Sequence, residues 1–287
     1  MAELKVGVAH FPTSYSIPAR ELGPALEERG FESIWVAEHS HIPVTRKTPA
    51  PNGAELPQRY FDTLDPFVFL TAMATHTETL ILGTGICLVI QRDPIHTAKS
   101  CASVDQISGG RFHFGVGGGW NEDEMNDHGT ELEGRFKLLR ERVGAIKAMW
   151  TEDQPSFDGD RVKLPPMTIN PKPIQKPHPP IHVGSAYPGG ARRAVEWADG
   201  WIPIPGRGEG TIAEQIASMR QMAEDAGRDP DEIEVSIYFA PADPAKLTEF
   251  AEAGVNRVAF DLPSVAGSQA LAALDAGLAA LDEAGLR

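Results

Sequence analysis

The sequence predicts a (β/α)8 barrel. Short β-branched runs alternate with longer segments whose apolar residues recur every three or four positions, the signature of βα units around a parallel sheet. The alternation repeats eight times. The chain has 287 residues, against about 250 for a typical barrel of this kind, and the excess falls in two polar, proline-containing insertions, one after the second strand and one after the fourth helix. Residues 1–287 read as a single domain, with no low-complexity linker and no sequence repeat beyond the βα alternation.

The first strand spans about Lys5 to Ala9. A helix follows, with Leu22, Ala25 and Leu26 on one stripe and Gly30 where the C-cap belongs. The second strand is Ser33-Ile34-Trp35-Val36-Ala37, after which a polar stretch from Ser40 to Asp62 interrupts the pattern. Leu64-Asp65-Pro66 opens the second helix with Asp at the N-cap and Pro at N1. The third strand covers Leu80 to Leu88, and Asp93-Pro94 opens the next helix with the same chemistry. The fourth strand is Arg111 to Gly117. From Leu132 to Trp150 the positions Leu132, Phe136, Leu139, Val143, Ile146 and Met149 step by three and four, which predicts an amphipathic helix. Thr151 to Pro180 is too rich in proline for regular helix. Four further strands, Ile181 to Val183, Trp201 to Ile204, Ile233 to Phe239 and Arg257 to Asp261, each precede a helix: Gly190 to Ala198, Thr211 to Ala226, Ala245 to Ala253 and Gln269 to Ala284.

Composition narrows the function. Lys and Arg number 26 against 40 Asp and Glu, a net charge of −14. With no basic run, that balance argues against a nucleic-acid or anionic-membrane partner. Hydrophobic residues make up 41% and charged residues 23%, ordinary for a globular chain, and the apolar stretches are strand-sized, too short to span a membrane. Cys87 and Cys101 are the only cysteines; they exclude a disulfide scaffold and suit two small buried residues in a reducing compartment. Met1-Ala2-Glu3-Leu4-Lys5 runs into Val6-Gly7-Val8-Ala9 without the pattern of a secretory signal, so a cytoplasmic location is expected.

The active site of such a barrel lies at the C-terminal ends of its strands. Glu38-His39-Ser40-His41 follows the second strand. It reads as a proton-transfer cluster, as a His-x-His metal pair, or as a polar surface loop. In Gly83-Thr84-Gly85-Ile86 two glycines inside a strand mean either packing relief or close approach of the backbone to a ligand. Gly115-Val116-Gly117-Gly118-Gly119-Trp120-Asn121 matches neither a dinucleotide fingerprint nor a P-loop; it leaves room for a flat ring or a phosphate, or is a flexible turn. Gly184-Ser185-Ala186-Tyr187-Pro188-Gly189-Gly190-Ala191 leads into a helix N-terminus, where free N–H groups favour an anion, with Arg192 and Arg193 adding positive charge. His10, Asp261 and Arg207 also sit after strands. His76, His113, His128 and His178 show no convergent spacing.

With these pieces in order, the chain resembles the luciferase-like flavin and deazaflavin oxidoreductases, a (β/α)8 superfamily. The most specific stretches are Trp35 to Pro43, Leu82 to Ile86, Ser108 to Asn121 and Ala198-Asp199-Gly200-Trp201. They are most similar to the branch that uses coenzyme F420. The resemblance implies that Glu38 and His39 lie beside the deazaflavin, with His39 as acid/base and Glu38 tuning or orienting it. It implies that Thr84, Gly85 and Ile86 back the ring, with a cis Gly85–Ile86 peptide, and that Asn121 reaches the ring or its side chain. Gly184, Ser185, Ala186, Gly189, Gly190 and Ala191 resemble the phosphate-binding segment; His41 and Trp120 would face the substrate. No basic cluster suits a phosphorylated substrate. The resemblance further implies a homodimer acting on a small organic molecule by hydride transfer. A deazaflavin passes hydride as nicotinamide does, while the protein supplies orientation and a proton.

Three alternatives remain open at this level. The same fold could hold FMN and act as a monooxygenase on reduced flavin and O2. A metal-dependent hydrolase could draw its ligands from His39, His41, His182 and Asp261. A barrel that has lost its cofactor could serve as a binding protein.

Overall fold

The computed structural model describes residues 4–50 and 53–287; Met1-Ala2-Glu3, invoked above for the N-terminus, and Pro51-Asn52 of the first insertion lie outside them. Eight parallel strands close a barrel in the order β1 (Lys5–His10), β2 (Ser33–Val36), β3 (Ile81–Thr84), β4 (Phe112–Gly117), β7 (Ile181–Gly184), β8 (Gly200–Ile202), β9 (Glu234–Ala240), β10 (Arg257–Leu262) and back to β1. The connecting helices are α1 (Ala19–Glu28), α3 (Pro66–Ala74), α4 (Pro94–Ser108), α6 (Arg135–Thr151), α7 (Gly189–Trp197), α8 (Ile212–Asp225), α9 (Pro244–Glu252) and α10 (Gly267–Glu283). The eightfold alternation is therefore the barrel.

Helix ends fall where local chemistry puts them. Asp65 accepts the N–H groups of Phe67 and Val68, Asp93 accepts that of His96, and Gly30 takes a left-handed φ of 78° just past α1. Along the strands, alternate residues serve two cores. Ile34, Val36, Phe112, Phe114, Val116, Val258 and Phe260 pack outward against the helices. Trp35, Tyr238, Ala9, Ala259 and Ile202 fill the barrel interior. Beneath them Arg257, fully buried, donates to both oxygens of Glu32 at 2.9 and 2.7 Å and also pairs with Glu234.

The structure departs from the sequence reading at several ends. The third strand stops at Thr84 rather than Leu88, because the chain turns at Gly85–Ile86, whose peptide is cis, and then enters a 3-10 turn at Val89–Gln91. The sixth barrel strand, β8, stops at Ile202, since Pro203 has no N–H for the ladder. Helix α6 begins at Arg135, after Gly134 with φ 74°. Two short helices, α2 (Arg59–Asp62) and α5 (Glu122–Asp127), lie beyond the eight expected. The proline-rich second insertion holds a small hairpin, β5 (Phe157–Asp158) with β6 (Lys163–Leu164), which is tied to α6 by Glu141 accepting the Arg161 and Val162 N–H groups at 2.7 and 3.0 Å. Among the described residues no helix is long and apolar enough to cross a membrane.

Candidate active site

A cavity of about 300 Å³ opens at the C-terminal ends of the barrel strands. It exists because the lining contributed by four strand ends is nearly free of side chains: Ala37, Gly85, Gly117 and Gly184. Ile86 stands among them. A Cβ on Gly117 would lie 2.8 Å from Ile86 Cδ1, and one on Gly184 would lie 2.8 Å from Ile86 Cγ2. Gly83 in β3 and Gly85 just past its end both make room for Trp35. A Cβ on Gly83 would lie 2.2 Å from the Trp35 ring, and one on Gly85 would lie 2.9 Å from both Trp35 Cβ and Tyr238 Cε2; Gly85 also lines the cavity. Thr84 is turned into the barrel wall, donating to the Gly115 carbonyl at 2.7 Å, and does not line the cavity.

The walls are aromatic. His39 lies 5.2 Å from the Tyr60 ring and 5.6 Å from the Trp120 ring, centroid to centroid. Phe11 lies 4.5 Å from Tyr60 and 5.9 Å from Phe239. Phe239 is an extra residue in β9 opposite β10, where the register shifts, and it holds a left-handed φ of 55°. Such a bulge re-aims a side chain, and here it delivers a ring to the cavity mouth. Tyr60 arrives on α2 of the first insertion, latched by Arg59 donating to Asp261 at 2.8 Å. Asp261, placed by the sequence at a catalytic strand end, is thereby engaged in holding the insertion.

His39 is oriented by a residue the sequence reading did not single out. Its side chain is 6% exposed, and its Nδ1 lies 2.7 Å from Oε2 of fully buried Glu124 on α5. Burial pushes the Glu124 carboxyl up, but hydrogen bonds from His39 and Ser40 outweigh this and hold it below its ordinary value. An ionised Glu124 accepts the Nδ1 hydrogen, which leaves Nε2 as the ring's acceptor. The signal for Glu124 was present: an acidic turn, Glu122-Asp123-Glu124, stands directly after a strand-end loop.

Glu38 does not orient His39. Its Oε2 accepts the Leu88 N–H at 2.7 Å and its Oε1 accepts Arg92 Nε at 2.5 Å. Burial pushes its carboxyl up, with Arg92 and the Leu88 N–H pulling the other way. It lines the cavity while pinning the chain that follows β3. His41 does not face the cavity either: its Nδ1 meets Ser40 Oγ at 2.9 Å and its Nε2 meets Asp127 at 2.9 Å. Trp120 does line it. Asn121 is buried outside the lining, its Nδ2 3.5 Å from Glu124 and its Oδ1 unpartnered.

Strand β7 reaches the cavity at its last residue, Gly184, and residues 185–191 lie outside the lining. Ser185 Oγ accepts from Arg193 at 3.2 Å. Gly190 lets α7 sit close to the barrel, since its Cβ would lie 2.1 Å from the Ser185 carbonyl, and Ala191 is buried beneath. Ala186 and Gly189 are partly exposed. The guanidinium of Arg193 lies 3.6 Å from the Phe136 ring centroid and that of Arg135 lies 4.4 Å from it. A Cβ on Gly118 would lie 2.7 Å from the same ring, so the glycine loop, Ser185 and two cations gather around Phe136. Gly118 and Ser185 are next in sequence to cavity-lining Gly117, Gly119 and Gly184 but lie outside the lining itself. Arg135 Nε is buried without a partner.

The metal-ligand set is not assembled. His182 stacks on His113 low in the barrel, their nitrogens 3.1 Å apart, while His39 is held by Glu124. Among the described residues no group of three His, Cys, Asp or Glu side chains is placed to hold a metal ion. His10 is buried, with Nδ1 3.1 Å from the Leu262 carbonyl and Nε2 unpartnered, and does not line the cavity. Cys87 and Cys101 are buried free thiols.

A family model described as luciferase-like monooxygenase matches residues 14–279. The uncharacterized protein Rv0953c of Mycobacterium tuberculosis (strain H37Rv) is 38% identical over 273 residues, covering 93% of this chain and 94% of the relative. An F420-dependent glucose-6-phosphate dehydrogenase of Mycobacterium tuberculosis (strain CDC 1551 / Oshkosh) is 30% identical over 258 residues, covering 84% of this chain and 70% of that protein. In fold, the chain is similar to the monooxygenase RslO1 from Streptomyces bottropensis, with a TM-score of 0.76 and 20% identity over 98% of this chain and 99% of that one.

Proposed function

As the chain belongs to the luciferase-like monooxygenase family and is an oxidoreductase of it, we propose that it uses coenzyme F420 to pass hydride to or from an apolar, uncharged organic substrate. One observation carries the reading. A slot walled by Gly85, Gly117 and Gly184 around Ile86 lies in the same cavity as His39, whose Nδ1 is occupied by Glu124. The glycines let Ile86 pack down between strand ends, which leaves that side of the cavity low enough for a flat ring, and the imidazole keeps Nε2 for the reacting oxygen. The F420-dependent relative supports the choice of cofactor.

When bound, the deazaflavin supplies hydride chemistry. The chain's residues do the rest. His39 takes the substrate's hydroxyl proton in oxidation and returns it to a carbonyl oxygen in reduction. Glu124 fixes the ring orientation. Ser185, Arg193 and Arg135 would hold the cofactor's phosphate. Phe11, Tyr60, Trp120 and Phe239 favour an apolar substrate, and among the described lining residues Arg207 is the one Lys or Arg. A sugar phosphate, the substrate in the relative's name, suits this lining poorly.

FMN is the second reading, favoured by the same phosphate edge, which would take its single phosphate. Equilibrium titration with F420 and, separately, with FMN decides, followed by Trp fluorescence with Trp120 as the reporter in the cavity. Tight F420 binding with little FMN binding supports the proposal. FMN binding alone overturns it and makes O2 the expected co-substrate.

A further inference from the structure

We propose that His39 exchanges its proton with bulk water through a port behind the imidazole, running by way of Glu124 and Ser40 to His41 and His128. The inference rests on the reading of His39 as the acid/base group. It begins from a continuous set of contacts. His39 Nδ1 lies 2.7 Å from Glu124 Oε2, and Ser40 Oγ lies 3.3 Å from the other oxygen of that carboxylate. The same hydroxyl lies 2.9 Å from His41 Nδ1 and 2.7 Å from His128 Nε2. His41 Nε2 then meets Asp127 at 2.9 Å. Exposure rises along this path: 0% for the Glu124 side chain, 39% for His41 and 58% for Asp127.

The path does not share the cavity's opening. Of these residues only His39 lines the cavity. The distinction matters because hydride transfer leaves one proton over. Oxidation of an alcohol sends its C–H hydrogen and two electrons to the cofactor, and the O–H hydrogen remains as a proton on His39. With ring and substrate seated, the aromatic walls shut water away from Nε2. A second door lets the proton leave before product does.

The step balances without a further reactant. Nε2 gains a proton from the substrate oxygen, and the Nδ1 hydrogen passes to Glu124. The neutral carboxyl turns to present its hydrogen to Ser40, whose hydroxyl turns from Glu124 toward His41 or His128; Ser40 Oγ takes the carboxyl proton as its own hydrogen passes to the imidazole and on to water. Once product has left, Nε2 loses its hydrogen to the open cavity and Nδ1 regains one by the same path in reverse, which restores the ring. One proton enters, one leaves, and no electrons move. Imidazole suits the outer end because one ring nitrogen can accept a hydrogen while the other gives one up. Ser40 is held for the task by its backbone N–H, which donates to Glu124 Oε1 at 3.0 Å. His128, which no spacing in the sequence connects to the site, thereby acquires a role.

The test uses Ser40→Ala, which removes the hydroxyl link and leaves the His39–Glu124 pair and the backbone hydrogen bond. Histidine-ring NMR on the cofactor-free protein measures exchange of the His39 Nδ1 hydrogen with water. Exchange slowed about tenfold or more in Ser40→Ala, and restored in Ser40→Thr, supports the port; an unchanged rate overturns it. In the F420-loaded enzyme, kcat in Ser40→Ala falls about tenfold with KM unchanged and recovers on adding free imidazole. A loss that imidazole does not restore marks a structural lesion and overturns the proposal. The NMR arm stands even if F420 fails to bind, so failure of the port and failure of the cofactor reading are told apart.

Discussion

The carboxylate of Glu38 grips the guanidinium of Arg92 inside the protein, Oε1 2.5 Å from Nε, with side chains 5% and 25% exposed. This pair fastens the end of β2 to the chain entering α4, and Arg92 reaches on to Asp65, the N-cap of α3.

Removing one partner strands the other. Arg92→Met is expected to cost about 3 kcal/mol, because it leaves a buried carboxylate unpaired. Arg92→Met combined with Glu38→Leu should cost clearly less than the single change, since the uncompensated charge leaves with its partner. Urea denaturation of both variants checks this; equal losses would mean that the pair is not what holds the segment.

The slot around Ile86 is tuned by absent side chains. Gly184→Ala places a Cβ 2.8 Å from Ile86 Cγ2 and should push Ile86 into the space for the ring. F420 affinity is expected to fall about tenfold, equivalent to about 1.4 kcal/mol, with the thermal midpoint nearly unchanged. Titration and a melting curve on one preparation separate the two effects.

Buried imidazoles give the fold a pH dependence. Burial lowers His10 and His113 from 6.5 to about 4, and His182 well below its ordinary value. The unfolded chain therefore binds these protons first as pH falls. Stability is full above pH 6.5 and declines between 6.5 and 4, by up to about 1.4 kcal/mol per pH unit for each such group. Urea midpoints at pH 7, 6 and 5 should show the decline. His10→Phe should flatten the slope by about one group's share, because His10 sits apart from the His113–His182 stack.

Phe239 carries a left-handed φ that glycine would adopt freely. Phe239→Gly relieves about 1 kcal/mol of backbone strain, comparable with the ring contact it loses. Its stability should stay within about 1 kcal/mol of the parent, while Phe239→Ala, which keeps a Cβ at that φ, falls below it. Substrate KM should rise in both variants with cofactor affinity unchanged. Denaturation and steady-state kinetics together distinguish a substrate wall from a fold element.

The barrel was legible because its signals are local. Asp65-Pro66 and Asp93-Pro94 cap their helices with chemistry contained in a few residues, and alternation along β2 or β4 records which face meets the helices. The ends missed were those where a neighbour decides. Helix α5 is too short to carry a period, and the third strand ends where Gly85 packs against Trp35 and Tyr238. Of the site, Glu38, His39, Gly85, Ile86, Trp120 and Gly184 were found by position at strand ends and do meet in the cavity. Tyr60 was not, because an insertion without periodicity does not reveal which of its residues folds back over the mouth.

By itself the sequence determined the fold class, the end of the barrel where chemistry gathers and the residue types available there. These follow from hydrophobic period, helix capping and the alternation of βα units, all expressed within one or two elements. Only the tertiary structure decided the partnerships. Glu38 turns from its neighbour His39 to Arg92, and His39 pairs with Glu124, 85 residues away. Gly83 in β3 and Gly85 just past it both make room for Trp35, and of the two Gly85 alone also lines the cavity. Glu38 and His39 both line the cavity yet take their partners from different loops, so closeness in sequence is no measure of contact. Barrel closure brings distant loops within hydrogen-bond reach.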